Sequence, residues 1–537
     1  MFLCRRDKMK RFFNLILTSI LCLALAGCSS AEQTTEILDE PVAKTSADVI
    51  VVGGGGAGLA AAAGAAESGA SVIIIEAAGF TGGAAMTSGG HMAMLNEEMN
   101  AAAERNDEDL YKYLDYQEED FNEWAPSLTI LKQQVTQYLA SDQKGRFDSV
   151  ERMIVDHYIK GKGMDLDGNE VSQDYELVKE ALENNWEIFT WLQSGGMEIK
   201  DTFYNVHANN PVDGGVGLAN ALKNLANKAE VEIILETRAI ELIEEDGKVV
   251  GVIALNKEGN EVEYRAEKGV VLATGSFSGN TEMCAEYQRI GTGLTANNAS
   301  NNFASNQGDG IVMAQRLGAE LRDMQFMMTV LKGYQGGCTL SQSGIITGKQ
   351  QLVVNQEAKR FGDESKGTLS ALINNQPNGL AYCVGDSKMI EAINAADEDF
   401  LEAKKDNGFL FFGDSLEEVA QAAGLDRDVF IETVTQFNQA VQNGKDEEFG
   451  REDFNGEVNE GPYLIAKMEM AYHLTYGGLV IDNETHVLKE DGSWIPGLYA
   501  AGDVTSGFEG AAHQSGDCLS IVVYYGKAAG QNAAQAK

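Results

Sequence analysis

The apolar run Val49–Val52 in ADVIVVGGGGAG (47–58) gives way at once to glycine, and then to an alanine-rich stretch over 57–68. Uninterrupted apolar residues bounded by turn formers read as a strand buried on both faces. The alanines read as a helix, and SVIIIE (71–76) as a second buried strand. This is a βαβ unit whose turn carries Gly53, Gly55 and Gly58 in G-x-G-x-x-G, with Gly56 and Ala57 between them. The first glycine turns tightly, the second admits a pyrophosphate, and the third packs helix on strand. The free N–H groups and dipole of the helix N-terminus favour the phosphate charge. Glu76 ends the second strand, about twenty residues on, where an acid meets ribose hydroxyls. The unit predicts dinucleotide binding.

Further along, GFTGGAAMTSGGHMAM (79–94) is a loop of glycine and small residues whose amides could approach a planar ring closely. Residues 100–205 read as mostly helical, with a polar, acidic insert from Glu118 to Gly168. Tyr175–Leu192 has helical spacing and places Trp186, Phe189 and Trp191 in the core. Strand-like runs VEIILETRA, KVVGVIAL, EVEYRA and GVVLATG follow between 231 and 275, a β-meander leading into Ala273-Thr274-Gly275. A last strand, Gly497–Ala501, runs into Gly502-Asp503, and a last helix spans about 519–534. Residues 326–473 read as a mixed α+β segment. The fold class expected is α/β, with a Rossmann-type dinucleotide-binding domain interrupted by a second domain.

A chain of 537 residues exceeds one ordinary core. Its head differs from the rest. Arg5, Arg6, Lys8, Lys10 and Arg11 precede the apolar run Phe12–Ala26, which is short for a membrane span. The run ends in Leu25-Ala26-Gly27-Cys28, which resembles a bacterial lipoprotein processing site and implies cleavage before Cys28 and lipidation of its sulfur. The divisions expected are leader and lipobox over 1–28, polar tether over 29–45, dinucleotide domain over 46–325 with its helical insert at about 100–205, second domain over 326–473, and the closing part of the first domain over 474–537. The protein is expected on the extracytoplasmic face of a bacterial cell membrane. The formal net charge of −40 repels nucleic acid and anionic lipid, so attachment falls to the lipid. The cysteines left after cleavage, Cys28, Cys284, Cys338, Cys383 and Cys518, form no C-x-x-C. One organic cofactor and no metal is the expectation.

Together the motifs resemble the soluble fumarate reductase family, which includes ketosteroid dehydrogenases, urocanate reductases and flavocytochrome c. The resemblance runs from about Ala47 to Ala534. It rests on the glycine turn, Glu76, Gly82-Gly83, Ser88-Gly89-Gly90, Val271–Gly275, Gly308-Asp309-Gly310, Asn438–Arg451, His473–Gly478 and Pro496–Val504. It implies FAD, and a capping domain inserted in a two-dinucleotide-binding-type FAD domain with substrate held between them. The cofactor-binding residues expected are Gly53, Gly55, Gly56, Ala57, Gly58, Glu76, Gly82, Gly83, Ala84, Ala85, Gly89, Gly90, Ala239, Thr274, Gly275, Asp309, Asp503, Cys518 and Leu519. Asp503 would offer an acceptor near the pyrophosphate and ribitol. The last helix, near Cys518 and Leu519, would turn its N-terminus to the pyrimidine end of the flavin.

The family pattern breaks where substrate carboxylates would be held. Gln325-Phe326-Met327 puts Met327 in the place of a substrate histidine, and Ser343–Thr347 lacks the acid and base of the family's proton path. Thr368 takes the place of the catalytic arginine after Arg360-Phe361, and His513 that of the C-terminal carboxylate-binding arginine. A buried carboxylate without charged partners costs several kcal/mol, so fumarate-type dicarboxylates are poor candidates. The pocket expected has Met327, Thr368, His473, Tyr476 and His513 on its walls. His473, His513, Tyr476 and His91 are the candidate proton donors, while His157, His207 and His486 are placed outside the site.

The expected activity is reduction of an activated C=C bond in a small organic acceptor by hydride from flavin N5. The electrons would come from a membrane or extracellular partner, a flavinylated protein or a cytochrome. Two alternatives stay open: a dehydrogenase or oxidase acting on a ketosteroid-like substrate, and a flavin-bearing electron-transfer or binding protein without organic turnover.

Overall fold

The structure is a computed structural model that describes residues 43–331, 350–366, 369–405 and 408–537. The leader, the tether, Cys28, Cys338, Ser343–Thr347 and Thr368 lie outside the described residues. Among the described residues no helix is long and apolar enough to cross a membrane.

Two sheets carry the architecture. The larger has eight strands. Ala43–Val52 lies at its centre, parallel to Val72–Ile75 on one side and to Glu261–Leu272 on the other. Glu232–Ile234 and Trp494–Ala500 extend it in parallel, and His486–Leu488 closes one edge antiparallel. Val49, Ile50 and Val51 are fully buried, as strands covered on both faces require. The helix Gly56–Glu67 lies against the closing helix Asp517–Gln535. Their backbones approach so closely that a Cβ on Gly530 would stand 1.8 Å from the Ala61 carbonyl oxygen.

The meander differs in detail from its expected form. The first run breaks at Glu236, whose φ is +54°, into Glu232–Ile234 and Arg238–Glu245. EVEYRA and GVVL fuse into the single strand Glu261–Leu272, because its pairing with Ala43–Val52 bridges the polar residues between them. Tyr175–Leu192 is two helices, Tyr175–Glu183 and Asn185–Ser194. Trp186, in the first turn of the second helix, is exposed rather than in the core, while Phe189 is buried. The acidic insert contains two further helices, Ala125–Leu139 and Val150–Gly161.

The second sheet has six strands organised on the 13-residue strand Tyr463–Thr475. Met327–Leu331, Leu380–Gly385 and Leu410–Gly413 pair with it antiparallel, Ala299–Ser300 parallel, and Leu352–Val354 pairs with Leu380–Gly385. A separate apolar cluster, including Phe430, Val434, Phe437 and Ile465, packs the helix Arg427–Asn443 on this sheet. Within the same region Arg360 is engaged by Glu364 at 2.7 Å and by Asp446 at 2.7 Å. The far end of Tyr463–Thr475 leaves this region and delivers His473 to the site described next.

Candidate functional site

A cavity of about 460 Å³ opens where the glycine turn, the loop 79–91, the loop 301–306, the end of Tyr463–Thr475 and the segment 501–519 converge. Its floor is the nucleotide unit. Gly53 (φ +103°), Gly55, Gly56 and Ala57 line it. Gly58 lies behind, and a Cβ there would fall 1.8 Å from the Gly53 carbonyl oxygen, which fixes the contact between turn and helix. At Gly55, the residue that precedes the helix, a Cβ would meet nothing within 4 Å. The helix therefore opens on empty space with its first N–H groups uncapped by any side chain.

Glu76 lines the cavity and organises the turn: Gly54 N donates to its Oε2 at 2.6 Å and Ala78 N to its Oε1 at 2.7 Å. Gly83, Ala84, Ala85, Gly89, Gly90 and His91 form the next wall. Gly82 stands behind it, its N–H donating to Gly54 O. Ala239, Thr274, Gly275, Asp309, Asp503, Cys518 and Leu519 complete the residues expected at a cofactor and brought to this cavity. Asp309 is already paired, bidentate, with Arg238 at 2.7 and 2.8 Å. Arg238 itself lines the cavity. A guanidinium is thus present after all, tied to its own carboxylate beside Thr237 and Ala239. The hydroxyl oxygen of Thr274 is buried in the lining without a partner. The open cradle at Gly55, the uncapped helix, Glu76 and this orphaned hydroxyl fit an elongated, anionic, hydroxyl-bearing group.

His473 and His513 both line the cavity. His473 Nδ1 lies 2.7 Å from Asn301 Oδ1. Burial, reinforced by the charge on His513, pushes its imidazole down to about 4. Its Nδ1 hydrogen goes to the amide oxygen, so Nε2 is left as an acceptor. His513 is set the other way. Burial opposes its charge, but Glu509, 3.1 Å from Nδ1, overrides it, with Cys518 adding to the effect, and the imidazole is pushed up to about 12. Cys518 Sγ stands 3.9 Å from His513 Nε2, and burial raises that thiol to about 11. Asp503 is raised to about 6 by burial and by Glu509. His91 stacks on Tyr204, the ring centroids 3.6 Å apart, and burial lowers its pKa.

Two expected pocket residues are not on the walls. Met327 points into the core, and its neighbour Met328 faces the cavity beside Leu474. Adjacent strand residues face opposite ways, so a one-residue offset moves a side chain from site to core. Tyr476 is buried and does not line the cavity, and burial raises its pKa far above the usual phenol range. The sequence reading missed Asn301, Asn302, Phe303, Asn306, Tyr204, Met328 and Arg238, which all line the cavity, and Glu509, whose i,i+4 spacing from His513 was the available signal.

The fold and cavity define a dinucleotide-binding flavoprotein site. The chain belongs to the FAD binding domain family, whose sequence model matches residues 48–519. It is 31% identical over 425 residues to an NADH:acrylate oxidoreductase of Vibrio harveyi, covering 76% of this chain and 42% of that protein. The open conformation of a flavocytochrome c3 fumarate reductase matches with a TM-score of 0.71 and 26% identity, over 91% of this chain and 78% of that one. The fold is shared with a 3-ketosteroid-Δ4-(5α)-dehydrogenase from Rhodococcus jostii RHA1, at a TM-score of 0.64 and 23% identity, over 94% and 99% of the two chains. The chain spans less than half the length of the acrylate oxidoreductase that it matches. The family expected from the motifs, the mixed α/β fold and the FAD cofactor all stand.

Proposed function

We propose that this chain is an FAD-dependent reductase that saturates an activated C=C bond in a small organic acceptor bearing at most one carboxylate. The observation that carries the proposal is the contrasting setting of two cavity histidines, His513 against the Glu509 carboxylate and His473 against the neutral Asn301 amide. FAD held in this cavity and reduced by its electron donor would supply a hydride equivalent to one carbon of the double bond. His513, with a hydrogen on Nε2 and Glu509 behind Nδ1, is the cationic proton donor of the cavity at neutral pH, and it gives that proton to the other carbon. His473 accepts a hydrogen bond through Nε2 and orients the acceptor. Phe303, Met328 and Leu474 provide an apolar wall for the rest of the molecule.

The restriction to one carboxylate follows from charge. Among the described lining residues the cations are the His513 imidazolium, held by Glu509 through Nδ1 with Nε2 beside Cys518, and the Arg238 guanidinium, bound bidentate to Asp309. A second buried carboxylate would lack a partner and cost several kcal/mol. Likeness to an acrylate oxidoreductase supports a monocarboxylate. The motif ending at Cys28 supports export and lipid anchoring on the outer face of the membrane, with electrons delivered there by a flavinylated protein or cytochrome.

The test is oxidation of reduced viologen by the purified holoprotein across unsaturated monocarboxylic acids, conjugated ketones, urocanate-like acids and fumarate. Turnover is expected on an enoate or conjugated acid, with fumarate at least about tenfold slower in kcat/KM. Silence on every acceptor, or preference for fumarate, refutes the proposal.

A further inference from the structure

A second cavity, of about 510 Å³, lies between the helical insert and the short strand Leu321–Arg322, and it shares no lining residue with the first. Five carboxylates line it, Glu123, Glu170, Asp174, Glu176 and Asp323, against one guanidinium, Arg322. Like charges around one hollow repel each other, so such a wall calls for a cation. Two of the five have local work. Asp174 caps the helix Tyr175–Glu183, accepting from Leu177 N at 3.3 Å, and Glu176 meets the positive end of that helix in its first turn. Glu123 and Glu170 have none: among the described residues their carboxylates form no ion pair and accept no hydrogen bond.

Two buried groups on the same wall also lack partners. The Asp323 side chain is 8% exposed, and its Oδ2 accepts no hydrogen bond. Arg322 Nε stands 3.5 Å from that oxygen, itself without a hydrogen bond, and the same guanidinium is drawn toward Asp174 at 3.8 Å. Gln173 is 2% exposed. Its Nε2 donates to the His157 carbonyl at 2.6 Å, and its Oε1 is left with no partner. Buried acceptors are ordinarily satisfied, and an orphaned one costs about 1–3 kcal/mol. Both unsatisfied groups accept, and both belong to a negatively charged hollow, so the missing partner is a positively charged donor.

The spacing decides its kind. Among the described residues no three of these carboxylates bring ligand atoms within 4.8 Å of one another, so they do not form the close oxygen cage that a metal ion needs. Acceptors spread around a hollow of this size suit a molecule with several separated ammonium groups, each with three donors and no acceptor. We propose that this cavity is a binding site for an organic polycation of the linear polyamine class, one ammonium group held by Asp323 and Gln173 and another by the rim carboxylates Glu123 and Glu170. The site is independent of the reaction proposed above.

Calorimetric titration of the FAD-loaded protein with spermidine, in about 0.15 M salt to screen diffuse attraction, tests this. One molecule per chain is expected to bind with a Kd of about 0.1 mM or tighter. Asp323→Asn, and separately Glu123→Gln with Glu170→Gln, are each expected to weaken binding about tenfold or more. Glu447→Gln with Glu448→Gln, which removes as much charge from an exposed stretch outside the cavity, is expected to change Kd by less than about twofold. Melting curves show which variants fold, and the exposed pair Glu123 and Glu170 decides if Asp323→Asn does not. Absence of a single-site isotherm overturns the proposal, as does weakening that is equal in the cavity and control variants. Displacement of spermidine by stoichiometric Ca²⁺ overturns the polyamine assignment.

Discussion

His473 and His513 face one cavity with opposite charge, His473 driven down to about 4 and His513 up to about 12. The cation on His513 is one reason that His473 stays neutral. In the proposed reaction they divide the work rather than duplicate it. A proton held on His473 would be gone above about pH 4, so a reductase that used it as donor would lose activity before neutrality. His513→Gln is expected to lower kcat by about 10²-fold or more, and His473→Gln by less than about tenfold with its larger effect on KM. Steady-state kinetics at pH 7 check this, and equal loss in both variants contradicts it.

The turn at Gly53–Gly58 makes two separable predictions. A Cβ at position 58 would collide with a backbone oxygen at 1.8 Å, whereas one at position 55 enters open space above the helix N-terminus. Gly58→Ala is expected to destabilise the nucleotide unit itself, lowering the melting temperature and leaving FAD content below about a tenth of wild type. Gly55→Ala is expected to melt as the wild type does in the FAD-free form, yet to bind FAD at least about tenfold more weakly, because the methyl group occupies the pyrophosphate cradle. Flavin absorbance against protein absorbance, with melting curves of stripped protein, separates the two.

The nucleotide unit was legible because its information is local. Val49–Val52, the glycine turn, the alanine helix and Glu76 sit in one stretch, and each residue type has one dominant reason to be there. Contacts between distant segments were not legible. Met327 and Met328 differ only by strand parity, which depends on pairing with Thr475 and Leu474 almost 150 positions away. His157 meets Phe508 and Asp517 across separations of 351 and 360 residues. Nothing in the pattern of the helix Val150–Gly161 marks one buried polar residue as more than core. The asparagines of loop 301–306 carry no motif, so their place on the cavity wall emerged only from the fold.

The Leu25–Cys28 sequence predicts where the protein sits in the cell. Expressed with its own leader in a bacterium, the wild type is expected in the membrane fraction and to incorporate radiolabelled palmitate. Cys28→Ser is expected to abolish the label and release most of the protein from the membrane, since the strongly acidic chain has no electrostatic hold on anionic lipid. Equal membrane retention and labelling in both would rule out Cys28 as the anchor.

His207 makes the stability of the helical insert depend on pH. It is buried between Asp148 and Asp156, each 3.0 Å from a ring nitrogen, and although burial opposes its charge the two carboxylates raise it to about 10. The unfolded chain titrates near 6.5. The folded value is the higher one, so the stabilisation is fully present below about pH 6.5 and is lost progressively as pH rises through about 10. Asp156 works in the other direction. Burial resists its ionisation, but His207 and Tyr113 lower its pKa, so its contribution is present above the ordinary carboxylate range and is lost on acidification. Stability should therefore be greatest between about pH 4.5 and 6.5 and decline toward pH 10. His207→Gln, which retains hydrogen bonds but cannot take a charge, should flatten the alkaline decline and reduce stability most at acid pH. Denaturant midpoints at pH 6 and pH 9 test this: the wild-type value should fall between them by clearly more than that of the variant, and parallel behaviour of the two proteins would show that His207 does not carry the pH dependence.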